Sequence, residues 1–289
     1  VLPGMGVIAV VMLLLATALS RNQVAKMIRP INELDLNVPL ENEMYEELTP
    51  LLKRIDEQNK QKDAIADMRK EFSANVSHEL KTPLTSISGY AEIMKNGLVK
   101  PEDMKVFSER IYNEASRLIT LVEDIIKLSK LDEGAIEVEK EDVDLYELTR
   151  EIVSRLAPQA ESRNVHLEVT GENVIYHGVR QILDEMIYNI CENAVKYNKK
   201  GGTVEVSVNQ QGEDCLLSVK DTGIGIPKSD LKRVFERFYR VDKSHSKATG
   251  GTGLGLSIVK HAVSYLDGEL EIDSIENEGT EINIRFKAV

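Results

Sequence analysis

The run FSANVSHELKTPLTSI, from Phe72 to Ile87, decides the fold of the central part of this 289-residue chain. Its apolar side chains recur every three or four residues, which predicts a helix with one buried stripe. Pro83 interrupts that helix, because proline has no N–H to bond the carbonyl four residues back and its ring crowds that carbonyl. We therefore expect a kink one turn after His78, with the imidazole exposed beside Glu79 and accessible to a mobile partner.

A hairpin of two long helices is predicted around this run. The first helix covers about residues 61–96 and ends near Gly97, and the second covers about residues 102–131. Two such helices cannot enclose a core, whereas two copies make a four-helix bundle, so the pattern predicts a homodimer. The expected seam is an a/d heptad on the second helix, formed by Met104, Phe107, Ile111, Leu118, Leu121, Ile125 and Leu128.

The C-terminal part has a different pattern. An acidic stretch at residues 132–142, with Gly134 as a helix end, stops the heptads and separates residues 61–133 from residues 141–289. Helices mixed with strands of two-residue period predict helices on one face of a mixed sheet, so the chain as a whole is α+β and multidomain. The predicted helices cover residues 145–156 and 178–197, and the predicted strands cover residues 165–169, 204–208, 215–219, 270–272 and 282–286.

The long helix of this part ends in NICENAVKYN, residues 189–198. Asn189 and Asn193 are four residues apart, and Lys196 and Tyr197 follow one turn later, so all four share a face. Neutral amide oxygens can complete the shell of a Mg²⁺ ion that phosphates already hold, and the lysine can hold phosphate oxygens. A pair of asparagines on a helix, taken alone, is more often a solvated surface.

Two glycine-rich segments follow. In DTGIGIP, residues 221–227, Asp221 ends an apolar strand, where its carboxylate can accept from an exocyclic amine such as that of adenine. In GGTGLGLSIVKH, residues 250–261, three alternating glycines lead into an apolar helix, whose free N–H groups and positive end suit phosphate. This spacing differs from the dinucleotide-binding and P-loop patterns.

About 25 residues separate these two segments. They contain FERFYR, residues 235–240, and a polar run at residues 242–249. We interpret this stretch as a mobile lid anchored by Phe235 and Phe238.

Together, the five segments resemble the acceptor box and the N, G1, F and G2 boxes of sensor histidine kinases, whose ATP-binding domain belongs to the GHKL ATPases. The resemblance covers about residues 61–289 and implies a Bergerat-type ATP-binding fold. Where the family often has an arginine in the lid, this chain has His245, so Lys243 or Lys247 is expected to contact phosphate. The implied Mg²⁺-binding residues are Asn189 and Asn193, and the other implied ATP-binding residues are Lys196, Tyr197, Asp221, Gly223, Gly225, Ile226, Phe238, Arg240, Lys243, Gly251, Thr252, Gly253, Leu254, Gly255 and Leu256.

The resemblance also implies a reaction. A neutral His78 nitrogen would attack the γ-phosphate of ATP, and Glu79 would hold or accept the other ring proton. The phosphoryl group would pass to an aspartate of a cytoplasmic response regulator. Glu79 and Thr82 match the E-x-x-T pattern that this family associates with dephosphorylation of that regulator, where Thr82 would position water.

Two other functions stay open. A GHKL ATPase that performs conformational work would carry a glutamate base in the helix of the two asparagines, but Glu192 points about 100° away from Asn193 on that helix. It would also leave the His78 run unexplained. A non-catalytic membrane scaffold would tolerate loss of Asn193 or of the glycines, and all of them are present.

The N-terminal residues predict a membrane anchor. Residues 1–20 carry no charge and are long enough for a transmembrane helix. Arg21, Lys26 and Arg29 follow, which places the C-terminal side in the cytoplasm and the chain in the cell membrane. Because the chain opens on Val1, we expect a longer parent with an outer sensor segment. A short buried core helix is the alternative for residues 1–20.

Residues 21–60 resemble a HAMP linker, with Pro30 and the pair Glu46–Glu47 near that family's proline and glutamate. The alternative is a plain amphipathic linker helix.

Composition excludes other classes of protein. The net charge of −12 and the absence of a basic stripe argue against nucleic-acid binding. Cys191 and Cys215 are far apart in apolar segments, which indicates buried thiols rather than a disulfide or a metal site.

Overall fold

The structure is a computed structural model that describes residues 2–32, 34–41, 48–132, 139–241 and 251–287, with the side chains of residues 2–11, 27, 29–31, 41 and 132 excepted. The chain divides into two compact units, Val1–Ala74 and Asn75–Val289. The pair Glu46–Glu47 and the residues around Gly134 lie outside the described residues.

The first unit is helical. Helix α1 covers Leu2–Asn32, a 3-10 turn covers Pro39–Glu41, and helix α2 covers Thr49–Lys95 and so continues into the second unit. In the part of the chain that the structure describes, no helix is both long enough and apolar enough to cross a bilayer. The predicted span overlaps residues 1–11, whose side chains lie outside the described part, and it stays a prediction.

The helical hairpin is confirmed. Helix α2 ends at Lys95, and Gly97 adopts a left-handed φ of 68° that reverses the chain. A 3-10 turn at Pro101–Asp103 leads into helix α3, Met104–Asp132. Pro83 lies inside α2, which continues through it without a break. The predicted start of this helix near residue 61 is wrong, because α2 already begins at Thr49, twelve residues earlier. The kink itself and the domain boundary between residues 60 and 61 stay predictions.

The two faces of α3 differ in burial. Of the predicted seam, Leu121 and Leu128 are buried within the chain. A second apolar stripe faces outward, with Tyr112, Ile119 and Ile126 seven residues apart and 72%, 60% and 49% exposed. The seam is therefore partly covered within one chain, and the outward stripe is exposed in the described structure.

The C-terminal part contains a five-stranded mixed sheet, as predicted. The strand order is β2-β4-β5-β7-β6, in which β2 and β4 are parallel and the other neighbours are antiparallel. A second, two-stranded sheet pairs β1 with β3 and was not predicted. The elements are β1 (Glu141–Asp144), α4 (Leu145–Ser162), β2 (His166–Gly171), β3 (Ile175–Gly178), α5 (Arg180–Lys196), β4 (Thr203–Gln211), β5 (Asp214–Asp221), α6 (Gly255–Tyr265), β6 (Glu269–Ile275) and β7 (Gly279–Lys287).

The core lies between this sheet and helices α4, α5 and α6. The central strands alternate, so that every second residue is buried, as in Val204, Val206 and Val208 of β4. Helix α5 buries the apolar face that includes Leu183, Met186 and Ile187. The packed face holds α5 against the sheet and so positions its C-terminal half, which contains both asparagines, at one edge of the core.

Candidate nucleotide and phospho-acceptor site

The two asparagines of α5 face the start of α6. Asn189 is only 9% exposed, and Asn193 is half-buried. A Cβ placed on Gly255, the first residue of α6, would lie 3.0 Å from Oδ1 of Asn189 and 3.5 Å from Nδ2 of Asn193. A side chain at this position would require the Asn189 amide to shift by a few tenths of an ångström, so glycine favours the close approach. This cradle of amide groups beside a helix N-terminus fits a hydrated Mg²⁺ ion held by phosphates.

Lys196 and Tyr197 meet the glycine-rich loop one turn further along α5. A Cβ on Gly251 would lie 3.1 Å from Nζ of Lys196 and 3.1 Å from the hydroxyl of Tyr197. Burial lowers the pKa of Lys196, because desolvation disfavours its charged form, and the carboxylate of Glu192 offsets part of that effect. An anion bound at this loop would stabilise the charged form of Lys196.

The loop between Gly251 and α6 is tightly folded. Gly253 has a left-handed φ of 75°, and its carbonyl accepts a hydrogen bond of 2.9 Å from the N–H of Phe238. Phe238 is itself left-handed, with a φ of 64°, which is costly for a residue with a side chain. Leu254 is fully buried, and Leu256 is half-buried on the first turn of α6. The segment that ends in Phe238 is therefore held against the glycine-rich loop.

Asp221 ends β5 on the other side of the site. Its Oδ1 accepts a hydrogen bond of 2.7 Å from the N–H of Gly223, while burial raises the pKa of the carboxyl. The following turn closes on α5, because the N–H of Ile224 donates to the carbonyl of Tyr197 at 3.1 Å. Ile226 donates from its N–H to a serine hydroxyl of β6 at 2.8 Å. The structure thus brings Asp221 and Gly223 to the Tyr197 end of the helix.

Arg240 is a buried arginine whose electrostatic surroundings include residues of α2, α3 and the end of α5. Burial lowers the pKa of its guanidinium, the nearby carboxylate of Glu79 offsets part of this effect, and Arg117 and Tyr197 are also close enough to contribute. Among the residues that the structure describes, Nη2 of Arg240 is buried without a hydrogen-bond partner. A buried, unsatisfied donor is costly, so this nitrogen is a candidate donor to a bound anionic group.

The acceptor residues lie on an exposed part of α2. The His78 side chain is exposed, as predicted, and the Thr82 hydroxyl donates to the His78 carbonyl at 3.1 Å. Glu79 forms an ion pair of 3.5 Å with Arg117 of α3. Arg117 was not among the predicted site residues, because a charge on a helical heptad is usually solvent-exposed and nothing in the sequence pairs it with Glu79.

Helix α3 also contacts the C-terminal part, at the glycine-rich loop and at α5, which was not predicted. The Thr252 hydroxyl donates to Oδ2 of Asp124 at 2.7 Å, and Nζ of Lys127 lies 2.6 Å from Oε1 of Glu185. Leu128 is fully buried beside these pairs. Burial raises the pKa of Asp124, and the hydrogen bond from Thr252 opposes that rise. A carboxylate of the hairpin therefore contacts the loop that is expected to receive phosphate.

Asp124→Asn is expected to tighten nucleotide binding, since it removes a negative charge from this loop while an amide oxygen can still accept from Thr252. The gain should increase with phosphate number, from AMP to ATP, because the repulsion is electrostatic. Titration with a fluorescent ATP analogue, and competition by AMP, ADP and ATP, measures the effect. Glu123→Gln removes the same charge at the exposed neighbouring position and should change little; an equal gain in both proteins would contradict a local effect of Asp124.

The predicted lid contacts Lys243, His245 and Lys247 lie outside the described residues. Gly225 lies at the turn after Asp221, where its left-handed φ is 66°, and a Cβ on it would meet the backbone of Ile275 at the end of β6. Its role in binding ATP, like that of the other predicted site residues, stays a prediction.

Two family models match the chain. The phospho-acceptor domain called His Kinase A matches residues 68–134. The histidine kinase-, DNA gyrase B- and HSP90-like ATPase matches residues 178–289. These ranges contain His78 and the nucleotide-side residues Asn189 to Leu256, respectively.

Curated relatives agree with these matches. The sensor histidine kinase WalK of Bacillus subtilis (strain 168) is 40% identical over 227 residues, which cover 74% of this chain and 36% of the relative. The sensor-like histidine kinase SenX3 of Mycolicibacterium smegmatis is 38% identical over 215 residues, covering 73% of this chain and 56% of the relative. The chain therefore spans only about a third to a half of the length of these relatives.

Solved structures share the fold. Acinetobacter baumannii histidine kinase AdeS matches with a TM-score of 0.61 and 22% identity, covering 73% of this chain and 97% of that one. Histidine kinase ThkA, solved in complex with the response regulator protein TrrA, matches with a TM-score of 0.63 and 23% identity, covering 81% of this chain and 66% of that one. With an acceptor domain and an ATPase domain matched in this order, the chain belongs to the sensor histidine kinases of two-component systems.

Proposed function

We propose that this chain is the signalling part of a sensor histidine kinase that uses ATP to phosphorylate His78 and passes the phosphoryl group to an aspartate of a response regulator. The position of Arg240 carries the proposal. Its guanidinium is buried, the charges of Glu79, next to the predicted acceptor, and of Tyr197 act on its pKa, and its Nη2 has no hydrogen-bond partner among the described residues. A γ-phosphate that is transferred from ATP to His78 would accept a hydrogen bond from that nitrogen.

The nucleotide would be held by residues that already meet in one place. Asp221 would accept from the adenine amine beside Tyr197, and Lys196 with the loop from Gly251 to Gly255 would hold the phosphates. The amide oxygens of Asn189 and Asn193 would face the Mg²⁺ ion. When bound, Mg²⁺ supplies charge neutralisation for the phosphate oxygens.

The acceptor chemistry follows from the arrangement of α2. One ring nitrogen of His78 uses its lone pair to form the N–P bond, while the bond between the γ-phosphorus and the bridging oxygen breaks and ADP leaves. Glu79 holds or accepts the proton of the other ring nitrogen. Arg240 stabilises negative charge on the transferred group, and Arg117 holds the Glu79 carboxylate beside the imidazole.

Labelling with γ-labelled ATP and Mg²⁺ tests the proposal. We expect a labelled protein whose phosphate is lost in acid and kept in base, because a phosphoramidate N–P bond is acid-labile. A label that resists acid, or no label from a protein that binds ATP, would contradict phosphorylation of histidine.

A response regulator is the proposed partner. The related fold of ThkA was solved with the response regulator protein TrrA, and the exposed position of His78 leaves its imidazole open to a second protein. We propose that the same surface serves dephosphorylation of the regulator, with Thr82 positioning water next to Glu79.

The active form is proposed to be a homodimer. The outward stripe of Tyr112, Ile119 and Ile126 on α3, continued by Val122, is a long apolar surface that soluble monomers rarely expose. Covering it with a second hairpin makes the four-helix bundle.

A protein that starts at Gln61 is therefore expected to sediment as a dimer at micromolar concentration. Ile119→Glu together with Ile126→Glu should convert it to a monomer, because each change places a charge inside the proposed interface. Thr120→Glu, at an exposed neighbouring position, is the matched control and should stay dimeric. A compact monomer without any substitution would contradict the bundle.

The membrane anchor is proposed from the sequence alone. The uncharged residues 1–20 followed by Arg21, Lys26 and Arg29 support a single span with residues 21–289 in the cytoplasm. The HAMP-like linker would join this span to the hairpin.

A further inference from the structure

Glu185 of α5 accepts hydrogen bonds at one carboxylate oxygen from two different domains. Its Oε1 lies 2.6 Å from Nζ of Lys127 on α3 and 3.3 Å from Nδ2 of Asn189 on its own helix. We propose that Glu185 is a positioning residue that orients the Asn189 amide for Mg²⁺, and that Lys127 of the hairpin holds Glu185 in that position. The proposal rests on the proposed function, in which Asn189 faces the metal of Mg²⁺–ATP.

The orientation of the Asn189 amide follows from its partners. Its nitrogen donates to the backbone carbonyl of Glu185 at 2.8 Å and to Oε1 of the same residue at 3.3 Å. Both partners are acceptors only, so they select the NH₂ side of the amide. The oxygen is then left facing Gly255, where a Cβ would lie 3.0 Å away.

A rotated amide would be unsuitable for a metal. It would place its oxygen against two other oxygens and would present N–H groups to the cation, which binds oxygen ligands. Asn189 is buried, so water cannot easily replace a lost partner. Two acceptors stabilise the metal-competent orientation of the Asn189 amide: the backbone carbonyl of Glu185 and its side-chain carboxylate. A substitution of Glu185 removes only the carboxylate.

Lys127 ties this arrangement to the hairpin. Its side chain is 43% exposed and that of Glu185 is 21% exposed, so the pair is partly shielded from water. Burial disfavours the Lys127 ammonium, but the hydrogen bond and the charge of Glu185 outweigh it and raise the pKa of Lys127, which stays charged at neutral pH. Glu185 is therefore held from the side of α3.

The contact between Lys127 and Glu185 links the packing of α3 on the ATP-binding domain to the binding of Mg²⁺–nucleotide. Helix α3 reaches the ATP-binding domain at Asp124 as well, through its bond with Thr252. When α3 is in place, Lys127 fixes Glu185 and Glu185 fixes Asn189. Because coupling between two equilibria is reciprocal, bound Mg²⁺–nucleotide should in turn favour the position of α3 in which Lys127 contacts Glu185.

The chain offers a matched ion pair for comparison. Asp184, adjacent to Glu185 on α5, pairs with Arg155 of α4 at 2.6 Å, and no residue of the nucleotide site takes part in that pair. A substitution of Asp184 removes a carboxylate of the same helix and an ion pair of the same length. It therefore controls for charge and for general stability.

The experiment measures binding of a fluorescent ATP analogue to the whole chain, once with Mg²⁺ and once with EDTA. Glu185→Ala is expected to weaken binding about tenfold in Mg²⁺, the lower end of the effect seen when a residue that orients a metal ligand is lost, and to leave binding in EDTA unchanged. Glu185→Gln, which keeps an acceptor for the Asn189 amide, should recover most of the affinity. Lys127→Ala should shift binding in Mg²⁺ in the same direction by a few-fold.

Several results would overturn the inference. Equal weakening with and without Mg²⁺ would make Glu185 a general structural residue, as would an equal effect of Asp184→Asn. Unchanged binding in Mg²⁺ by the Lys127→Ala protein would show that the hairpin does not position Glu185. Failure of the unsubstituted protein to bind the analogue at all would contradict the proposed function instead, so the two failures are distinguishable. Melting temperatures show whether each variant folds. If Glu185→Ala does not fold, the binding of Glu185→Gln and Lys127→Ala tests the inference.

Discussion

His78→Gln is expected to abolish labelling from γ-labelled ATP while the protein still binds nucleotide with nearly unchanged affinity. Glutamine has a comparable size and polarity but its amide nitrogen is not nucleophilic, so no N–P bond forms. His78 lies on the exposed side of α2, whereas the residues expected to bind ATP lie on α5, β5 and the loop before α6. Labelling and nucleotide affinity, measured on the same preparation, separate loss of the acceptor from loss of the substrate.

The control for this substitution is another exposed histidine. His177 lies on β3, where its Nδ1 is 2.8 Å from Oδ1 of Asp142, and His177→Gln should label like the unsubstituted protein. An acid-labile label that persists in His78→Gln would show that the acceptor is elsewhere. Loss of both labelling and nucleotide binding would show that His78 matters for the fold of the site instead.

The hairpin and the sheet could be predicted because their signals are local. The heptads and the glycine at position 97 gave the second helix and the turn within about two residues, and two-residue alternation located the strands of the large sheet. The sheet of β1 and β3 was missed. Each strand has only four residues, and the pairing joins Glu141 to Gly178, far away in the sequence. Such short segments carry too little periodicity to predict.

The nucleotide side of the site could also be predicted, because each of its motifs is continuous. Helical spacing placed Asn189 and Asn193 on one face, and the two glycines 251 and 255 meet Lys196 and Asn189 in the structure. Which residues these motifs would meet across domains could not be predicted.

Arg117, Asp124 and Lys127 lie on a heptad helix where charges usually point to water. Their partners are fixed by how α3 packs on the second domain, as in the bond between Asp124 and Thr252, 128 residues apart. A single sequence carries no signal for such a contact.

Glu79, which follows His78 directly, and Thr82, one helical turn after His78, are expected to affect different activities. Glu79→Ala should lower autophosphorylation by ~10²–10⁴-fold, the usual contribution of a general base or of a group that orients the nucleophile. It also leaves Arg117 without the carboxylate that it contacts at 3.5 Å. Glu79→Gln separates the two roles, because an amide can orient the ring but cannot accept its proton. Recovery of activity in Glu79→Gln would make Glu79 an orienting residue.

Thr82→Ala, in contrast, should leave autophosphorylation within a few-fold and slow dephosphorylation of the regulator. The Thr82 hydroxyl donates its hydrogen bond to the His78 carbonyl, at 3.1 Å. Toward a water molecule it can therefore act only as an acceptor. That is enough to position the water that attacks a phosphoaspartate, but it does not help the imidazole lose a proton. The same bond supports a purely structural role, since hydroxyls that bond back to a carbonyl four residues earlier are common in helices.

Ser86 distinguishes the two roles of Thr82. Its hydroxyl makes the same kind of bond, to the Thr82 carbonyl at 3.2 Å, one turn further from the acceptor. Ser86→Ala should therefore lower the melting temperature as much as Thr82→Ala does, yet leave both activities intact. If Thr82→Ala reduces both activities equally and lowers the melting temperature more than Ser86→Ala, Thr82 only stabilises the helix around Pro83. If it slows only dephosphorylation, the hydroxyl acts on water, and the helical turn after His78 carries two separable activities.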